Sequence, residues 1–396
     1  MPIILNQTDL QKLCDEIDEN GRFALDLEFI PERTYEPEIC LIQVATDHEA
    51  YIIDPYQVHD VTPLWKRIAD PEILKVLHAG DQDLDLMFLN SGLIPQNILD
   101  TQIAAGFIGF GYPIGYGKLL NQLLNISISK SESFTDWTNR PLTQSQIDYA
   151  LDDVAHLLEL HDKLLEELTE RKRENWVFDE CKRYSDISYY ERDRGRDFMR
   201  VKGASSLPRR GLAVLKALSD WRHSEASRTN RPLKSILADN VLFEFARHPP
   251  KNQSDIQRIR GIRPDQVKQY AQAILKAIES ALKTPESEWP SWPSSRIPSK
   301  RELLISDFLF TILKVITFDM EIAAELVTTR SSLEALVRLH FEGNLQADKF
   351  PLLQGWRNEL VGHKLINVLQ GAECRMQLKS KSHPISLEVN GKRIEH

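Results

Sequence analysis

The chain has 396 residues, of which 42% are hydrophobic and 27% charged, and a net charge of −9. That length calls for two or three domains, the composition is that of an ordinary globular protein, and no stretch nears the roughly 18 uninterrupted apolar residues of a membrane span. The N-terminus turns acidic at once and lacks a signal peptide's basic region. Cys14, Cys40, Cys181 and Cys374 lie far apart with no CxxC pair, which speaks against a zinc site or disulfide framework and for a reducing, cytoplasmic setting.

The charge is unevenly spread. Residues 1–170 hold 10 Lys and Arg against 30 Asp and Glu; residues 171–234 hold 17 against 9; residues 235–396 hold 22 against 19. An acidic first domain suited to holding divalent cations is thus followed by a net basic chain able to release counterions from a phosphate backbone.

Strands are expected first. RFALDLEFI (22–30) alternates between Gly21 and Pro31, EICLIQVAT is a continuous apolar run, and EAYIIDP ends at a proline. Three strands so close in sequence predict an antiparallel meander. Helical patterns follow in VTPLWKRIA and in QDLDLMFLNSG, with ILKVLHAG between them as a further strand. A capped helix is predicted from Thr143 to about residue 168. Together these elements define an α/β domain over residues 1–170. Residues 171–206 read as a basic connector, 207–284 as an all-helical domain, 285–300 as a Pro/Ser linker and 301–376 as a second helical domain. In the tail, 377–396, an Asn-Gly turn between alternating strands suits a short hairpin.

Three acidic features stand out. Asp26 and Glu28, at i and i+2 on a strand, share one face; such a pair suits a cation site or an exposed sheet face. Asp83 lies in HAGDQDLDLMF, where a strand gives way to a helix, and there acids also serve simply to favour a helix N-terminus. Tyr149 and Asp153, four apart on a helix, share a face, while Asp152 points elsewhere.

In this order, LDLEF, HAGDQDL and YALDD resemble the three motifs of DEDD-type 3′–5′ exonucleases, and the tyrosine four residues before the last aspartate resembles the DEDDy branch. DTQIA (100–104) and KSESFTDWTNRPLTQSQIDYALDDV (130–154) are similar to ribonuclease D. LKALSDWRHSEASRTNRPLKSILADNVLFEFARHPP with IRGIRPDQVKQYAQAIL resembles an HRDC domain, and LLQGWRNELVGHKLINVLQG a degenerate second module of that kind. The resemblance covers nearly the whole chain. It implies a ribonuclease H-like α/β domain, a mixed sheet flanked by helices, followed by two small all-α domains. It further implies that Asp26, Glu28, Asp83 and Asp153 bind two Mg²⁺ or Mn²⁺ ions, and that Tyr149 orients an attacking water. The implied activity is release of 5′-mononucleotides from single-stranded 3′ ends of RNA such as tRNA precursors. Hard carboxylate oxygens suit those ions, and a two-ion site suits in-line phosphodiester hydrolysis. A DNA exonuclease of repair would share the chemistry, and a silent nucleic-acid-binding protein would have no use for all five residues.

Lys130, Trp137 and Arg140 are candidates to touch substrate phosphate or base, as are Trp221, Arg222 and Arg228 in the helical domain; each set also fits a structural Trp beside surface cations. GFIGFGYPIGYGK matches no phosphate-loop spacing and reads as a flexible loop at the edge of the site.

Overall fold

Why Asp26 and Glu28 share a face is visible in their strand. In β2 (Arg22–Ile30) the odd residues Phe23, Leu25 and Leu27 are buried, while on the other face Ala24 is followed by the half-buried Asp26 and Glu28. A computed structural model describes residues 3–128, 135–191, 194–292, 296, 298–378, 385–390 and 392–393. β2 lies third from one edge of a six-stranded mixed sheet ordered β1-β4-β3-β2-β5-β6. The others are β1 (Ile3–Ile4), β3 (Glu38–Ala45), β4 (Ala50–Ile53), β5 (Leu74–Leu77) and β6 (Ile98–Asp100). β3 and β4 pair antiparallel, whereas β2 with β5, β5 with β6 and β1 with β4 are parallel. Ala24 stands opposite Val76, which brings the end of β5 and the helix after it to the acidic strand.

Two compact units divide the chain: residues 1–27, 41–187 and 297–396 in one, residues 28–40 and 188–296 in the other. In the first, helices α1 (Gln7–Asn20), α2 (Thr62–Ile68), α3 (Asp81–Ser91), α4 (Thr101–Gly106), α5 (Tyr116–Leu124), α6 (Gln144–Ala155), α7 (Leu157–Glu170) and α8 (Glu174–Cys181) accompany the sheet. The single helix expected from Thr143 to about 168 is two. A Thr143–Gln146 capping box starts α6, but His156, at φ −110° and ψ 4°, leaves the helical region and restarts the chain as α7. The break lets α6 pack on β4 while α7 turns to α4, α5 and β5.

The segment expected as a connector is partly built into this unit. Val177, Cys181 and Tyr184 are buried at spacings of four and three, one helical stripe among many charges. The stripe is easily lost in a charge count.

The second helical module belongs to the same compact unit as the sheet. Its helices Lys300–Asp319 and Arg330–Phe341 pack together, and its loop at 320–327 meets α4. Ala323 N–H donates to Gly106 O at 2.8 Å, and a Cβ on Gly106 would lie 2.4 Å from Leu326 Cδ1. Arg173, 7% exposed, donates to Phe107 O and Met320 O, each at 2.7 Å. Trp356 stacks on Trp176 with ring centroids 5.7 Å apart and meets Phe107 edge-on. The glycine-rich segment 106–118 is therefore packed at its start rather than free. After this module Cys374–Leu378, Ile385–Val389 and Lys392–Arg393 form a three-stranded antiparallel sheet. The hairpin expected at Asn390 is present, with a further strand preceding it.

The other unit is built on helices Arg209–Thr229, Asp239–Arg247 and Pro264–Lys283 around Leu215, Leu218, Phe245 and Ile274. Residues 28–40 join it through Tyr35, whose hydroxyl lies 3.0 Å from His223 Nδ1. The candidate RNA contacts here have structural duties: Arg222 is 5% exposed and donates to Leu237 O and Asp239, Trp221 packs edge-on against Tyr270, and Arg228 pairs with Glu225. No helix among the described residues is long and apolar enough to cross a membrane.

Arg173→Ala leaves the buried carbonyl of Phe107 and the part-buried one of Met320 without this donor. It is expected to lower stability by about 2–4 kcal/mol, seen as a lower urea midpoint of the full chain; an unchanged midpoint would contradict this packing account.

Candidate active site

Three of the four expected acids meet. One carboxylate oxygen from each of Asp26, Glu28 and Asp153 lies within 4.8 Å of the others, and all three residues are half-buried. β2 supplies the first two and α6 the third. Tyr149, one turn before Asp153, hydrogen-bonds its carboxylate. Burial pushes Asp153 up to about 7, an effect that Asp152 reinforces and the Tyr149 hydrogen bond opposes.

Asp83 stands outside that close group. It occupies the first turn of α3 and is 7% exposed. Its carboxyl is pushed to about 7, first by burial and then by the charges of Asp100 and Asp81. A helix N-terminus favours an anion by only about 0.3–1 kcal/mol, whereas one pK unit is about 1.4 kcal/mol, so desolvation wins. The phenol of Tyr116 is buried beside the cluster and is pushed far above its ordinary range by that burial, then by Asp153, with Asp26 adding to it.

Two expected substrate contacts are corrected. Trp137 is 3% exposed, with its ring 6.0 Å from that of Tyr149, so it packs behind the tyrosine and offers no open face to a base. Arg140 grips Asp54, itself nearly buried, with Nε at 2.6 Å and Nη2 at 3.0 Å, lies over the Tyr56 ring and donates to Trp137 O. Its charge fastens the segment that supports Tyr149. Lys130 lies outside the described residues.

One functional neighbour carried no sequence signal as a site residue. Asp100, 2% exposed, accepts from the backbone N–H groups of Ala79, Gly80 and Gln102 at 3.0, 3.3 and 2.8 Å. DTQIA placed it in a motif, and as an N-cap before α4 it was legible; its reach across 20 residues to the start of α3 was not.

Carboxylates clustered beside a tyrosine suit divalent-metal chemistry, and comparison with known proteins gives the class: residues 1–169 match the 3′–5′ exonuclease family and residues 211–278 the HRDC domain family. Ribonuclease D of Zymomonas mobilis is 37% identical over 377 residues, 93% of this chain and 94% of that protein. Ribonuclease D of Sphingobium indicum is 36% identical over 376 residues, 93% of this chain and 95% of that one. The crystal structure of Escherichia coli RNase D, described as an exoribonuclease involved in structured RNA processing, superposes with a TM-score of 0.80 at 30% identity, covering 93% of this chain and 98% of that one. The chain belongs to the ribonuclease D family and is a 3′–5′ exoribonuclease.

Because Asp83 and Asp153 are raised to about 7, a cation bound by these carboxyls would have to displace protons held near neutrality. Mn²⁺ affinity is therefore expected to rise from pH 6 to pH 8 and level off above, with proton release detectable by calorimetry in buffers of different ionisation enthalpy. An affinity flat across that range would refute the raised carboxyls.

Proposed function

We propose that this enzyme shortens single-stranded 3′ ends of RNA one nucleotide at a time, with Asp26, Glu28, Asp83 and Asp153 holding two Mg²⁺ or Mn²⁺ ions. The observation that carries this is the meeting of Asp26, Glu28 and Asp153 within 4.8 Å, an all-oxygen donor set that suits hard divalent cations. Such cations, when bound, supply Lewis acidity to the scissile phosphate and make an attacking water more acidic.

The chain's own residues do the rest. Tyr149 is kept in place by Trp137 behind it and by its bond to Asp153, so its phenol stands at the edge of the carboxylates. From there it orients the water that attacks the terminal phosphodiester. Attack breaks the bond to the 3′ oxygen of the penultimate nucleotide and releases a 5′-mononucleotide. Asp153, its carboxylate steadied by Tyr149, stays ionised in the loaded site. The net basic charge of residues 171–234 favours association with a phosphate backbone.

Structured RNAs such as tRNA precursors are the proposed substrates, supported by the structured-RNA role given for the similar E. coli enzyme. The wide spacing of the four cysteines, with no CxxC pair, suits a reducing compartment, and we place the enzyme in the cytoplasm.

The test offers matched 3′-overhang RNA and DNA with Mg²⁺, Mn²⁺ or chelator. Stepwise shortening of RNA that chelator abolishes is expected; equal or faster shortening of DNA would point to repair instead, and internal cleavage would refute both. Asp83→Asn should abolish nucleotide release while leaving the fold intact. Tyr149→Phe is expected to slow turnover far more than it weakens Mn²⁺ binding; equal losses in both would remove the tyrosine from its assigned task.

A further inference from the structure

The acid that stands apart is Asp83, and its place is set by a turn that the chain would not adopt unaided. β5 ends at Leu77, and α3 begins at Asp81. Between them Ala79 has φ +59°, a left-handed conformation disfavoured for an L side chain. Gly80 has no room for one, since a Cβ there would lie 2.6 Å from Leu77 Cδ2. Gly80 is also the N-cap of α3 and brings no side chain to hold the helix's first N–H groups.

Two carboxylates flank this turn. On one side Asp100 takes the N–H groups of Ala79 and Gly80. On the other, Asp81 begins the helix itself. A fully buried phenol lies between them: Tyr184 Oη is 2.8 Å from Asp81 Oδ1 and 3.2 Å from Asp100 Oδ2. Arg183 Nη2 donates to the phenol oxygen at 2.9 Å and reaches Asp81 at 3.3 Å, with its guanidinium 4.8 Å from the Tyr184 ring centroid. Because the phenol oxygen accepts from Arg183, its one proton is directed to a carboxylate, and the nearer is Asp81. Arg183 and Tyr184 thus bring a donor and a charge to two like-charged groups that would otherwise push the turn open.

We propose that Tyr184, acting through Asp81 and Asp100, is a positioning residue for Asp83: it locks the turn that starts α3 and so fixes the fourth metal-binding carboxylate before any cation arrives. The proposal rests on Asp83 being such a carboxylate. It gives the segment after the nuclease helices an indirect part in metal binding. Residues that orient ligands without touching the metal commonly change affinity by about 10–100-fold when altered.

The test is Mn²⁺ binding to the full chain without RNA, followed by electron paramagnetic resonance, beside the thermal midpoint of the metal-free protein. Tyr184→Phe should weaken Mn²⁺ binding about tenfold, and Asp81→Ala should do the same. The double variant should lose clearly less than the sum of the single losses, since both break the Tyr184–Asp81 bond. Asp81→Asn, which keeps an acceptor for the phenol, should retain most of the affinity. If Tyr184→Phe lowers the thermal midpoint yet binds Mn²⁺ as tightly as the unaltered chain, Tyr184 only stabilises the fold and the proposal fails. Additive losses would also overturn it. Asp83→Asn serves as reference: if Mn²⁺ binding survives that change, the assignment of Asp83 fails and the proposal with it. Binding lost in Asp83→Asn but kept in Tyr184→Phe would sink the proposal alone.

Discussion

Like charges crowded into a half-buried space repel, and the whole molecule answers that constraint. Three carboxylates lie within 4.8 Å of one another, and Asp83, buried at the start of α3, and Asp153 are both pushed to about 7 by desolvation. Such a cluster is unfavourable until cations enter it. It persists only because each acid is fixed by an element that the rest of the fold stabilises. β2 is central to the sheet, α6 is capped and packed on β4, and α3 grows from a turn tied down by Asp100.

That view gives the surrounding parts a common purpose. Trp137 and Arg140 brace Tyr149 and fasten their loop to Asp54. The C-terminal helical module closes over α4 through Arg173, Gly106 and the Trp176–Trp356 stack, so it acts as scaffold for the domain that carries the chemistry. Arg140 and Arg173 are engaged in holding a carboxylate and carbonyls of the fold.

Much of this was legible in the sequence, and the limits have physical causes. Strand periodicity showed Asp26 and Glu28 on one face, and helix periodicity did the same for Tyr149 and Asp153, because both regularities are local. The mixed, partly parallel sheet was harder: β2 pairs with β5 across more than 50 residues, Arg22 opposite Leu74, a partnership that no local pattern encodes. The break at His156 lay inside a continuous amphipathic pattern. Trp137 and Arg140 looked like substrate contacts because an aromatic beside a cation has the same appearance whether it faces RNA or an ion pair such as Asp54. Tyr184 was hidden by its neighbours, since a basic run reads as solvated surface and only the fold places Asp81 and Asp100 around its phenol.

The most direct measurement is anomalous diffraction from crystals soaked in Mn²⁺. The account predicts two manganese peaks beside Asp26, Glu28 and Asp153, with an oxygen of Asp83 among the ligands. Manganese bound without Asp83, or no manganese at these carboxylates, would contradict it.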